Sequence, residues 1–240
     1  MVMGRLLSLN GRVRKLLNFQ VVKFSTGVSL IVDNEAISPF LKGRLYGELY
    51  ERAESEIIKN TLSAHDRVLE LGASIGYIAN VSRNILSSGN CYLGVEANPK
   101  LISLFDENAK LNGHGDLVCL NGAAGSQEGE CSFFLSEHFW ASSLTSQPGS
   151  QEVTVKVFSF DKLIKDHSPN YLIIDIEGGE YDLLYNRDLV WLQKLCLEFH
   201  PDIYGKDKSE KLMQWILGQG FSKSAEYGDN RCFYFERQIK

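Results

Sequence analysis

From residue 66 onward, short apolar runs alternate with stretches whose apolar residues recur at helical spacing. Val68–Leu71, Tyr92–Val95, Leu117–Leu120, Tyr171–Ile174 and Leu195–Phe199 are brief, nearly continuous apolar runs, the pattern of strands buried on both faces. Between them, Ile75–Leu86, Pro99–Leu111, Glu180–Leu189 and Ser209–Leu217 carry the 3.6-residue pattern and are predicted as helices. Asn98-Pro99 is a start signal, with Asn98 as cap and Pro99 at the first helical position. This alternation predicts an α/β, Rossmann-like fold, a mostly parallel sheet covered by helices. Cys131–Leu135 and Val153–Phe158 are predicted as extra strands flanking the loop 136–152. Arg231–Glu236 ends the chain as an alternating strand. It follows the last helix after only a loop, too little chain for a crossover, so it is expected to insert antiparallel.

Ahead of residue 60 the pattern changes. Residues 1–60 are expected to form a short basic, helical extension, and residues 61–240 the main domain. Leu6, Leu9, Val13, Leu16 and Leu17 fall at helical spacing among Arg5, Arg12, Arg14 and Lys15. Such a stripe suits a docking or dimerising helix, and also a peripheral contact of residues 1–24 with an anionic membrane. The formal charge of −5 conceals an asymmetry: residues 1–24 carry five cations and no acid, which leaves −10 on the rest. A body this acidic is a poor match for a phosphate backbone, so no nucleic-acid partner is expected. The five cysteines are scattered, with no Cys-x-x-Cys pair, which suits reduced thiols in a cytoplasmic protein.

The segment Glu70-Leu71-Gly72-Ala73-Ser74-Ile75-Gly76-Tyr77 reads as strand, tight turn and helix start. Gly72 and Gly76 let the backbone approach a ligand, and the helix that follows offers free N–H groups. Glu96 ends the next strand, 20 residues after Gly76, where a carboxylate can accept both ribose hydroxyls of a nucleoside. A dinucleotide fingerprint needs glycines where this chain has Ser74 and Tyr77, so the diphosphate cradle is missing. Glu70 beside the turn would repel a diphosphate and attract a cationic group. A nicotinamide-dependent oxidoreductase is therefore the weaker alternative, and a non-catalytic nucleoside-binding module a second one.

The chain resembles the FkbM family of class I methyltransferases from about Tyr46 to Phe199. The likeness runs through Tyr50-Glu51-x-x-Glu54, Leu69-Glu70-Leu71-Gly72-Ala73-Ser74-Ile75-Gly76, Val95-Glu96-Ala97-Asn98-Pro99, Asn121-Gly122-Ala123-Ala124-Gly125 and Ile174-Asp175-Ile176-Glu177-Gly178-Gly179-Glu180. The resemblance implies a seven-stranded class I sheet with an antiparallel last strand. It also implies S-adenosylmethionine as methyl donor and a hydroxyl acceptor on a sugar, glycolipid or natural product. By this likeness Gly122, Ala123 and Ala124 lie near the adenine. The candidate cofactor contacts are then Glu51, Glu70, Gly72, Ala73, Gly76, Tyr77, Glu96, Ala97, Asn98, Gly122, Ala123, Ala124 and Asp175.

Asp175 ends the fourth buried strand, where α/β folds gather reacting groups, and Glu177 and Glu180 follow at once. These carboxylates can steady a sulfonium, orient an acceptor or bind a divalent metal. His200 follows the fifth strand and is a candidate general base. Asp175, His200 and Glu177 are thus the catalytic candidates. His138 and Trp140 in the long loop, with Glu180 and Tyr204, are the candidate acceptor contacts. A small-molecule or glycan acceptor is expected as partner, and a homo-oligomer is compatible with the pattern.

Overall fold

A computed structural model describes residues 20–135 and 150–237. The chain opens with a hairpin, β1 (Val21–Lys23) and β2 (Ser29–Ile31), followed by α1 (Pro39–Tyr46) and α2 (Arg52–Thr61). The main sheet is built from β3 (Val68–Leu71), β4 (Tyr92–Glu96) and β5 (Cys119–Asn121), with α3 (Tyr77–Arg83) and α4 (Pro99–Leu111) between them. A side sheet follows, made of β6 (Ala123–Gly125), β7 (Gly129–Leu135) and β8 (Gln151–Ser159). After α5 (Phe160–His167) come β9 (Tyr171–Ile174), α6 (Glu180–Leu184) and β10 (Lys194–Glu198). The chain ends with α7 (Pro201–Tyr204), α8 (Lys206–Gly218), β11 (Phe221–Gly228) and β12 (Cys232–Arg237).

The seven-stranded sheet has the order β5, β4, β3, β9, β10, β12, β11. Each neighbouring pair from β5 to β10 is parallel, and β12 inserts antiparallel between β10 and β11. The expected seven-stranded, Rossmann-like α/β fold with its antiparallel last strand is the one found. Strand order reverses between β3 and β9, and the crevice of an open α/β sheet lies at that switch point, outside the carboxyl ends of the strands.

Side chains alternate across the sheet, and this sorts the core into two layers. Val68, Tyr171, Ile173 and Cys196 face one layer, which also contains Val22, Phe24 and Leu30 of the hairpin, Ile57 and Ile58 of α2, and Phe105 of α4. Leu69, Leu71, Leu172, Ile174, Leu195 and Leu197 face the other, with Phe160, Leu184, Leu212 and Ile216. The hairpin is therefore part of the core, although nothing in the pattern ahead of residue 66 announces it. Asn108 of α4 and Asn112 at its C-terminal end tie it down by accepting from the backbone N–H groups of Ile31 and Ser29.

Element ends depart from the pattern where the backbone turns left-handed. The predicted helix from Ile75 begins only at Tyr77, because Ser74 (φ 48°) and Gly76 (φ 80°) hold the turn out of helical geometry. The predicted helix Glu180–Leu189 stops at Leu184, two residues before Asn186 at φ 61°. The helix read as Ser209–Leu217 runs the full Lys206–Gly218. No helix among the described residues is long and apolar enough to cross a membrane.

Candidate functional site

A crevice of about 440 Å³ opens at the switch point, over the ends of β3, β4, β9 and β10. Its walls include Tyr50, Gly72, Ser74, Glu96, Gly122 and Phe133. Carboxylates crowd one side of it, from Glu51, Glu54, Asp175, Glu177, Glu198 and Asp229, against Arg44 and Arg52.

The floor is the close approach of two chain segments. A Cβ on Gly72 would come within 1.7 Å of the Asp175 carbonyl oxygen, and Gly72 has φ 90°. Only glycine fits there, so the turn after β3 can lie against the end of β9. Ser74, also left-handed, keeps its place through a 2.8 Å hydrogen bond between its hydroxyl and that of Tyr50. Glu51 and Glu177 line the crevice from left-handed positions too, at φ 44° and 51°. Such backbone costs of order 1–3 kcal/mol per residue and gathers at functional sites.

Glu96 is pinned by two backbone donors: Ser74 N–H to Oε2 at 2.8 Å and Asn98 N–H to Oε1 at 2.6 Å. Burial raises its pKa, and those donors oppose the rise. The carboxylate lines the crevice and retains acceptor capacity there. Glu96 and Asp175 end strands separated by β3 alone, so two strand spacings, about 10 Å, lie between them.

On the other side, burial and then Glu198 and Glu177 hold the Asp175 carboxyl well above its usual value. Burial and the neighbouring Glu198 push Glu54 up to about 7. Burial does the same to Glu177, also to about 7, even with His200 nearby pulling it down. Glu51 is raised well above its usual range, chiefly by burial. Burial and mutual repulsion thus push these crowded carboxyls toward their neutral form.

Of the predicted site residues, Glu51, Gly72, Glu96, Ala97, Gly122, Ala123, Ala124, Asp175 and Glu177 line the crevice. Five others lie behind it. Glu70 sits mid-strand facing the helix layer, buried, and accepts a 2.7 Å hydrogen bond from the Tyr92 hydroxyl. Strand alternation is the cause, because a residue two places before the turn points across the sheet and not out of its end. Tyr77 packs on Phe24, its hydroxyl 3.3 Å from that of Thr26. Ala73 is buried against Gly94, and Gly76 is shaped by Phe105, which lies 2.8 Å from where its Cβ would be. Asn98 caps α4 by accepting from Lys100 N–H.

His200 is corrected as well. It is buried beneath the crevice instead of lining it, with Nδ1 2.9 Å from Glu180 Oε1 and its backbone N–H donated to the Tyr204 hydroxyl. Burial lowers its pKa, but Glu180, Glu177 and Glu198 outweigh burial and leave it raised. Glu180 is fully buried, and Tyr204 is engaged by the same histidine, so both support His200 in place of meeting an acceptor. His138 and Trp140 lie outside the described residues. Sequence reasoning missed Tyr50, Ser74, Glu54 and Glu198 as site residues. Glu198 had a signal, as the lone carboxylate inside the apolar run Leu195–Phe199.

Glu70 yields a stability prediction. Burial pushes its carboxyl from 4.5 to about 8. A raised carboxyl destabilises the fold progressively as pH rises from 4.5, reaching the full cost above about 8. Glu70→Gln keeps an acceptor for Tyr92 and removes the charge. Urea unfolding of the ligand-free protein should show the variant more stable at pH 9 by about 1–3 kcal/mol, once the buried amide's own cost is subtracted. At pH 4.5 the gain should vanish. Parallel pH dependences in the two proteins would show that Glu70 does not titrate in this window.

Residues 70–223 match the family described as the methyltransferase FkbM domain. No curated protein matches the sequence. Among solved structures, the ribosomal protein L11 methylase from Lactobacillus delbrueckii subsp. bulgaricus is similar at 14% identity, over 92% of this chain and 100% of that one, with a TM-score of 0.50. An O-methyltransferase from Bacillus cereus, solved with S-adenosylhomocysteine, is similar at 12% identity over 86% and 84% of the two chains, with a TM-score of 0.47. At such identity the likeness to the L11 methylase concerns the fold alone. With the family matched across the glycine turn, Glu96, the Gly122–Ala124 stretch and Asp175, the chain belongs to the FkbM methyltransferase family and uses S-adenosylmethionine as its methyl donor.

Proposed function

We propose that the protein transfers the methyl group of S-adenosylmethionine to a hydroxyl of a sugar, glycolipid or natural product. The observation that carries this reading is the separation of the crevice into two ends. Glu96 stands preorganised for ribose hydroxyls at one end, and Asp175, Glu177 and Glu198 collect at the other. The cofactor's sulfonium then lies between them over Gly72, with the adenine toward Gly122–Ala124 and the ammonium group toward Glu51. An acceptor hydroxyl donates its hydrogen bond to a carboxylate, which turns an oxygen lone pair toward the methyl carbon. In-line positioning of this kind is worth about 7–11 kcal/mol in well-oriented systems, so orientation and exclusion of water carry most of the rate.

The test is an acceptor screen with S-adenosylhomocysteine release as readout, followed by location of the new methyl group by mass spectrometry. Methylation of hydroxyl acceptors is expected. Methylation confined to nitrogen or carbon acceptors would overturn the reading. Binding of the cofactor is checked separately. Glu96→Ala removes the ribose acceptor, and calorimetry should show S-adenosylhomocysteine weakened by about 1.5–3 kcal/mol, the range for a hydrogen bond to a charged group. An unchanged affinity places the ribose elsewhere.

A further inference from the structure

Beneath the acidic end of the crevice, three ligand-type atoms converge from two adjacent strand ends. One ligand atom each from Asp175, Glu198 and His200 lies within 4.8 Å of the others. His200 Nε2 stands 3.5 Å from Asp175 Oδ1 and 3.8 Å from Glu198 Oε1, with Glu177 Oε2 at 3.3 Å. We propose that Asp175, Glu198 and His200 form a binding site for one divalent first-row metal ion at the acceptor end of the crevice.

Three features distinguish this group from an ordinary acidic surface. The His200 side chain is 5% exposed, and its Nε2 faces the Glu177, Asp175 and Glu198 carboxylates at 3.3, 3.5 and 3.8 Å. Asp175 Oδ1 is shut off from solvent and has no hydrogen-bond partner among the described residues. The other ring nitrogen meets Glu180 Oε1 at 2.9 Å, on a carboxylate that is itself fully buried. Metal-bound histidines almost always donate their second N–H to such a group, which fixes the tautomer and leaves the Nε2 lone pair for the metal. Ligands about 2.0–2.2 Å from a metal stand roughly 3.0–3.6 Å apart; the Asp175 contact at 3.5 Å lies inside that range, and Glu198, at 3.8 Å, closes by a few tenths of an ångström to ligate. One imidazole with carboxylates suits Mn²⁺ or Zn²⁺ better than Ca²⁺, which takes oxygen alone. A cation there also neutralises the charge of Glu177 and Glu198 beside it. Its chemical role, polarising an acceptor oxygen so that its proton leaves readily, rests on the proposed hydroxyl transfer. Its presence does not.

The experiment uses the full chain stripped with chelator and titrated with Mn²⁺ followed by electron spin resonance, and with Zn²⁺ by calorimetry. One ion per chain is expected, with pulsed spectra of bound Mn²⁺ showing coupling to a single imidazole nitrogen. Glu198→Gln at the crevice wall should weaken metal binding at least 10-fold while its urea unfolding stays cooperative with an unchanged slope, which certifies the fold. His200→Gln should remove the nitrogen coupling. Glu180→Gln, one step removed from the ion, should weaken binding about 10- to 100-fold. Absence of binding at millimolar metal, or binding unaltered in Glu198→Gln and lacking the nitrogen signal, overturns the site. Neither result bears on whether the acceptor is a hydroxyl, which the product analysis reads by itself.

Discussion

Gly72→Ala should cost the protein its folded crevice, with unfolding free energy reduced by more than about 4 kcal/mol. The added Cβ would sit 1.7 Å from the Asp175 carbonyl oxygen, and that atom belongs to backbone at the end of a central strand. It cannot yield as the tip of a flexible side chain can. The Asp175 N–H is bonded to Leu71 O at 2.9 Å, and Gly72 N–H to Val95 O at 2.9 Å, so both segments are anchored immediately beside the clash. The left-handed φ of 90° adds its own strain for any residue with a side chain. Losses above 4–5 kcal/mol are exceptional for one substitution, and backbone strain at a close-packed turn is among the few causes. Denaturant melts of wild type and variant give the number directly. A well-folded variant that still binds S-adenosylhomocysteine would mean that the β3 turn and the β9 end can move apart.

Asp175→Asn should retain the fold and bind cofactor, yet lose at least ~100-fold in turnover. The substitution is isosteric, and the backbone bond to Leu71 does not involve the side chain. What changes is the charge at the point where β9 delivers a carboxylate into the crevice, within 3.5 Å of His200 Nε2. Misplacement of a reacting group by about 1 Å can cost ~100-fold, and an amide in place of a carboxylate presents a donor where an acceptor hydroxyl needs to donate. Single-turnover measurement with a true acceptor separates this effect from binding. Full activity in the variant would move the acceptor away from the carboxylate cluster. His200→Ala is expected to disturb the loop after β9 as well as the carboxylate cluster, because the imidazole lies under the crevice wall with Nδ1 on Glu180. Its loss should unseat Glu180, whose Oε1 also receives the N–H groups of Ile176 and Gly178 and so shapes the loop that carries Glu177.

The contrast between Asp175 and His200 shows how far one-dimensional reading reaches. Both follow strands, and spacing placed both at the switch point correctly, because parallel strands all end on one side. Spacing did not say which of the two reaches open space. That was decided by the Gly178 to Tyr204 region. Gly178, at φ 108°, would meet Ile203 if it carried a Cβ, so the loop after β9 packs against α7, the helix that His200 immediately precedes. Such a contact joins residues 25 positions apart and leaves no local pattern.

What the sequence determined by itself was whatever depends on short-range periodicity and steric need. Four buried strands, the alternation that makes the sheet parallel, the terminal strand that must run antiparallel and the glycines at the β3 turn all follow from local pattern, since burial on two faces and positive φ each leave a compositional mark; the fifth apolar run, Leu117–Leu120, became the half-exposed edge strand Cys119–Asn121, a place in the sheet that no local pattern marks. Glu96 belongs with them, because a carboxylate at a strand end points out of the sheet whatever surrounds it. Only the tertiary structure decided what depends on neighbours distant in the chain. Glu70 is a buried carboxyl satisfied by the Tyr92 hydroxyl that the neighbouring strand brings to it, and the hairpin at Val21–Ile31 joins the core through Asn108 of α4 and Asn112 at its end, some 80 residues away. Glu54, from a helix ahead of the sheet, meets Glu198, from its fifth parallel strand, and their mutual repulsion with Asp175 makes the crevice one charged site. Charge density in a cavity is a sum over segments that folding alone brings together, so no single segment of the sequence carries it.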